Sequence, residues 1–152
     1  MTTMVLALLT IYRLEAMDSP DAAASSASVE KLWTDRSASE KDKELYRETP
    51  VSSFIATRDA WEHLWRAWRP NERVPAVDFQ KSIILAFAGP GYDNEIRVND
   101  KDPHELKELP IDKTGDLKFL PSIIERGDRG YRYVILKVSR RGALSVNGHV
   151  LP

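Results

Sequence analysis

The sequence predicts an α+β fold, with one amphipathic helix packed on a mainly antiparallel β-sheet and a C-terminal β-hairpin. Three observations carry this expectation. Trp61, Leu64, Trp65 and Trp68 recur at i, i+3, i+4 and i+7, which places them on one stripe of a helix. Residues 82–88 (SIILAFA) and 132–139 (RYVILKVS) are apolar runs of strand length. Asn147-Gly148 is the dipeptide best suited to a tight hairpin turn, because both residues tolerate positive φ. One helix followed by a run of strands argues against a doubly wound fold, in which helices and strands alternate.

From the N-terminus, residues 1–28 are expected to form an apolar segment and a flexible linker, and residues 29–152 a single α+β domain. Residues 4–12 (MVLALLTIY) are too short for a bilayer span, which takes roughly 20 residues. Three readings stay open for them: the apolar heart of a secretory signal, a strand joining the sheet, or a helix docked on the body. Ala22, Ala23, Ala24 and Ala27 supply small residues for cleavage, but Arg13 follows the run where a signal has its basic flank in front. Residues 18–28 (DSPDAAASSAS) have a linker composition, with too little apolar surface to offset their ordering entropy. Residues 40–48 (EKDKELYRE) alternate in charge, as a solvated strand or short helix does, and Leu32 and Trp33 are placed to anchor the segment between.

In the body, residues 53–56 suggest a short strand that enters the helix. Thr57 suits the N-cap, Asp59 complements the positive end of the dipole, and Pro70 stops the helix. The indole stripe follows a buried face so closely that core is preferred over a platform for sugars, bases or peptides. Residues 82–88 are apolar at successive positions and belong in a central strand, broken by Gly89-Pro90-Gly91. Residues 94–99 alternate, with Ile96 and Val98 inward and Glu95 and Arg97 outward. Residues 100–110 form a charged excursion, 112–116 a turn around Gly115, and Leu117 and Phe119 a short strand. In the second strong strand Val134, Leu136 and Val138 form the expected core face.

Composition narrows the chemistry. With 22 basic and 23 acidic side chains the net charge is −1, so the basic surplus typical of phosphate-neutralising proteins is missing and nucleic acid is not the expected partner. The chain has no cysteine, which removes disulfides, thiolate ligands and thiol nucleophiles together. His63, His104 and His149 show no metal-ligand spacing. Asp100, Asp102, His104 and Glu105 alternate like a calcium loop, but the glycine of the sharp turn is missing and Pro103 interrupts them. Gly89-Pro90-Gly91 follows a strand as phosphate loops do, yet a strand and not a helix comes next. No serine sits in a nucleophile elbow. A further alternative is an unrecognised hydrolase built from Asp78 and a histidine; that pair would need tertiary contacts, and a turn role suits Asp78 better. No catalytic residue, metal or cofactor is expected.

Between Arg126 and Arg141 lie Arg126, Arg129, Arg132, Lys137, Arg140 and Arg141 against the single acid Asp128. A sheet edge protected by charge is the preferred explanation. The alternative is a site for an acidic ligand or oligonucleotide, built from Arg129, Arg132, Lys137, Arg140 and Arg141 with Tyr131 and Tyr133.

A helix bearing tryptophans precedes Asp78-Phe79 and an apolar strand, Gly91-Tyr92 opens the next strand, and Tyr133-Val134-Ile135-Leu136-Lys137-Val138 runs near the end. This order over residues 54–152 resembles the C-terminal domain of the PrcB-type protease-complex subunits, small and mostly exported bacterial domains. The resemblance implies a protein-binding role without catalytic residues, as partner or stabiliser of an exported protease. It favours the periplasm or cell surface over the cytoplasm. Asp93-Asn94 and the charged stretch 100–116 depart from the family pattern. The expected contact surface is the loop Gly89, Pro90, Gly91 and Tyr92, because loops carry function and Tyr92 offers a rigid aromatic.

Overall fold

The two apolar runs pair with each other. In the computed structural model, which describes residues 23–37, 49–50, 52–127 and 129–152, β3 (Ser82–Pro90) and β8 (Tyr131–Ser139) lie antiparallel, from Ser82 opposite Ser139 to Pro90 opposite Tyr131. Their successive side chains point to opposite faces, and both faces are covered. Ile83, Leu85, Val134, Leu136 and Val138 enter one core, while Ile84, Ala86, Ala88, Tyr131, Tyr133 and Ile135 enter another. Burial on both faces is why these strands are apolar at nearly every position. The expected core face of β8 is buried, and the opposite face is buried too.

The helix α1 (Arg58–Trp68) covers the second face. Thr57 caps it by accepting from the Ala60 amide at 3.4 Å, and the chain leaves the helix at Arg69, before Pro70. Trp61, Leu64, Trp65 and Trp68 are all buried, as their spacing predicts. An 11-residue helix is marginal alone, so packing must hold it. Each buried indole removes roughly 150–250 Å² from water, a gross gain on the order of 4–6 kcal/mol at about 25 cal/mol/Å². Trp33 completes the cluster, with ring centroids 5.7 Å from Trp61 and 5.4 Å from Trp65. The indole nitrogens of Trp61 and Trp65 donate to the Pro75 and Glu72 carbonyls, which fixes residues 72–75 beside the helix.

Trp33 belongs to β1 (Ala23–Ser37), which joins the two halves of the sheet. Residues 29–37 pair with β8, and residues 23–28 pair with β5 (Glu108–Asp112); register irregularities fall between Ala23 and Ser25 and between Val29 and Lys31. This corrects the linker reading of residues 18–28 from Ala23 onward, and the strand runs through the boundary expected after Ser28. Backbone pairing needs no large side chain, and Ala27, opposite Leu109, is buried where a small residue fits. Glu108 to Pro110 likewise turn out to be strand, not excursion. The apolar segment 4–12 and the charged segment 40–48 lie outside the described residues.

The eight-stranded sheet is completed by β2 (Phe54–Ile55) beside β3, and by β6 (Asp116–Leu117), β9 (Ser145–Val146) and β10 (His149–Val150) beyond β5. All its pairs are antiparallel except β6 with β9. Asn147 and Gly148, at φ 48° and 84°, turn the C-terminal hairpin as their sequence predicts. A separate ribbon of β4 (Glu95–Val98) and β7 (Pro121–Ile124) contributes Ile96 and Val98 to the first core. The strand β7 has no counterpart in the sequence expectations. No helix among the described residues is long and apolar enough to cross a membrane.

Candidate protein-contact site

The strand β3 does not break at Gly89 but runs through it to Pro90. Gly89 is buried under β7, where a Cβ would collide with Ile123. Gly91, at φ 96°, turns the chain, and a Cβ there would collide with the Asn94 side chain. The loop is pinned to the stretch before β8: the Gly91 amide donates to the Gly130 carbonyl at 2.9 Å and the Tyr92 amide to the Arg129 carbonyl at 2.6 Å.

Asn94 locks this arrangement. Its side chain is buried, and its amide nitrogen donates to the Pro90 carbonyl at 2.7 Å. Its Oδ1 accepts from the Arg126 and Gly127 amides. Its own carbonyl accepts from Arg132 at 2.6 Å. One asparagine thus satisfies four groups across three segments, from a side chain that is itself buried. Of the polar Asp93-Asn94 pair, the second residue is the clamp of this loop. A cavity of about 380 Å³, lined by Pro90, Asn94, Glu125, Arg126 and Gly127, opens beside it.

On this frame Tyr92 is half-exposed and Pro90 exposed. The Arg36 guanidinium lies over the Tyr92 ring, 4.4 Å from its centroid. Sequence reasoning singled out Gly89, Pro90, Gly91 and Tyr92 as the contact surface; of these, Gly89 and Gly91 are buried and Pro90 and Tyr92 reach the surface. It missed Arg36, which reaches the site from the end of β1 and carries no local signal.

The basic segment is not one surface. The strand β8 lies between β1 and β3, at the centre of the sheet and not at an edge, which corrects the charged-edge reading. Arg132 and Lys137 lie five positions apart on a strand that pairs with β3 without irregularity, so they face opposite sides. Lys137 pairs with Glu30 at 3.3 Å, and Arg140 donates to the Phe79 and Pro152 carbonyls. Arg129 and Arg141 are exposed. Tyr131 and Tyr133 are buried, Tyr133 donating no ring face to solvent but accepting from Arg69 at 2.9 Å through its hydroxyl. The stacking surface that an oligonucleotide site requires is therefore inside the core.

Asp78 serves a turn: its carboxylate accepts from the Gln80 amide at 3.0 Å and its carbonyl from the Lys81 and Ser82 amides. His63 is exposed on the helix. Asp102 and His104 do meet, at 3.0 Å, but both are exposed, and Asp102 caps the short 3-10 turn (Pro103–Glu105) that contains His104. The His104 amide, then its ring, hold the Asp102 carboxyl below its ordinary range. Among the described residues no three histidine, aspartate or glutamate side chains are arranged to hold a metal ion. In comparisons with known proteins, the chain matches no family model, and no curated protein or solved structure is significantly similar to it.

Proposed function

We propose that this chain is a non-enzymatic protein-interaction domain that contacts its partner through Tyr92 and the residues around it. The observation that carries this reading is the Arg36 guanidinium stacked on a half-exposed Tyr92, on a loop already fixed by Asn94. Tyrosine and arginine are the residue types that dominate binding energy at interfaces. A loop ordered before contact loses less conformational freedom on binding. The resemblance to PrcB-type domains, which rests on the order of elements, supports an exported protease as the partner and an extracytoplasmic location.

The test pairs capture with stability. The immobilised protein is used to capture partners from its native source, and the captured protein's mature N-terminus is read to establish export. Tyr92→Ala is expected to weaken capture by roughly tenfold or more. Thermal stability should hardly move, because an exposed cation–π contact is worth only about 0.5–1 kcal/mol. Equal loss of capture and stability would make Tyr92 a packing residue and end the reading. Capture of a protein that is no protease would remove the protease partnership alone.

A further inference from the structure

A groove of about 460 Å³ runs between α1 and residues 73–79. Val74, Val77 and Phe79 give it half-buried apolar lining beside Trp61. Three guanidiniums, from Arg58, Arg66 and Arg73, stand against the single carboxylate of Glu62. The Arg58 and Arg66 side chains are 84% and 69% exposed, and each bonds Glu62 through one nitrogen, at 2.9 and 3.2 Å. Most of their N–H donors stay open, since a guanidinium carries five. Arg73 is exposed and has no carboxylate partner among the described residues. Pro75 biases Val74 toward extended backbone, and the amides of Val74, Ala76 and Val77 meet no acceptor among the described residues.

We propose that this groove binds a short acidic peptide in extended form, with apolar side chains between its carboxylates. The three components of the groove select for it separately. Guanidiniums in excess over carboxylates favour glutamate and aspartate. The apolar lining takes side chains projecting at alternate positions of an extended chain, and the open backbone amides suit peptide carbonyls. Trp61 is itself buried and its ring nitrogen bonded, so the groove offers no free indole face for stacking a base. This surface shares no residue with the Tyr92 loop, and the proposal does not depend on that reading.

The experiment uses the full chain and a fluorescein-labelled peptide alternating glutamate with leucine and phenylalanine, followed by anisotropy. Two control peptides replace every glutamate by lysine or every apolar residue by serine. Saturable binding of the first peptide, weakened by added salt, is expected. The combined change Arg58→Gln, Arg66→Gln and Arg73→Gln should weaken it about tenfold or more while leaving the thermal melt in place, because these side chains are exposed. Tyr92→Ala should bind the peptide like the unaltered protein, which separates this groove from the other surface. Equal affinity for either control peptide, an unaffected triple variant, or no saturable binding at all would overturn the proposal.

Discussion

The two faces of the β3–β8 pair are both closed to water, but by different chemistry. On one face a single helix presses Trp61, Leu64, Trp65 and Trp68 onto the sheet. The other is roofed by short strands and turns, and there buried and half-buried polar side chains hold the pieces in register. Asn94 clamps the Tyr92 loop. Asn99 donates to the Lys118 carbonyl and accepts from the Leu120 amide. Asn147 both accepts from and donates to the backbone of Phe119. The helix face depends chiefly on buried area and close packing, with one indole bond each from Trp61 and Trp65. The polar face depends on directional bonds, each of which deprives a backbone group of its partner when it is cut.

The largest expected effect lies on the helix face. Trp61→Ala removes a fully buried indole, its contacts with Trp33 and Trp65, and the bond to Pro75. A loss of about 3–5 kcal/mol is expected from denaturant unfolding. A loss below about 1 kcal/mol would mean that the helix layer contributes little and that the polar face carries the fold.

Asn94→Ala tests the other face and should cost less overall while doing more to the site. It removes few contacts but leaves the Arg126 and Gly127 amides and the Pro90 carbonyl without their partner. About 1–3 kcal/mol is expected. Capture through the Tyr92 loop should fall further than Tyr92-neutral variants of equal stability, because the loop loses its fixed shape. If Asn94→Ala and a helix-face variant of matched stability bind a partner equally, the clamp is structural only.

The same contrast explains what the sequence makes legible. Trp61 to Trp68 announce a helix because local spacing and burial coincide, and the double-sided burial of β3 and β8 appears as unbroken apolarity. The serines of β1 announce nothing, since its pairing with β5 is made by backbone groups that every residue has. Composition therefore suggests a linker where a strand lies. Arg36 reaches Tyr92 across tens of residues of chain, and no periodicity encodes that approach. Of the site, the loop was visible as glycine, proline and an aromatic. Its clamp was visible only as unexpected polarity at Asn94, and its cation was not visible at all.

The smallest expected effect concerns the polar turn that joins β5 and β6 to the C-terminal hairpin, and it should depend on pH. Asp112 Oδ1 accepts from the Thr114 hydroxyl at 2.6 Å and from the Thr114 and Asp116 amides. These bonds, the Thr114 hydroxyl first, with Lys118 nearby, bring its carboxyl down to about 2. Burial works to raise Asp116, but bonds from Lys118, Ser145 and the Gly148 amide outweigh it and leave that carboxyl lowered as well. An unfolded aspartate titrates near 3.9, so between about pH 4 and pH 2 the unfolded chain binds more protons than the folded one. The contribution of Asp112 is therefore complete above about pH 5 and fades as the pH falls toward 2. Unfolding midpoints of the protein and of Asp112→Asn, measured across this range, should differ most at the upper end and converge at the lower. A difference that stays constant with pH would mean that Asp112 acts through hydrogen-bond geometry alone and that its charge contributes nothing to closing this face.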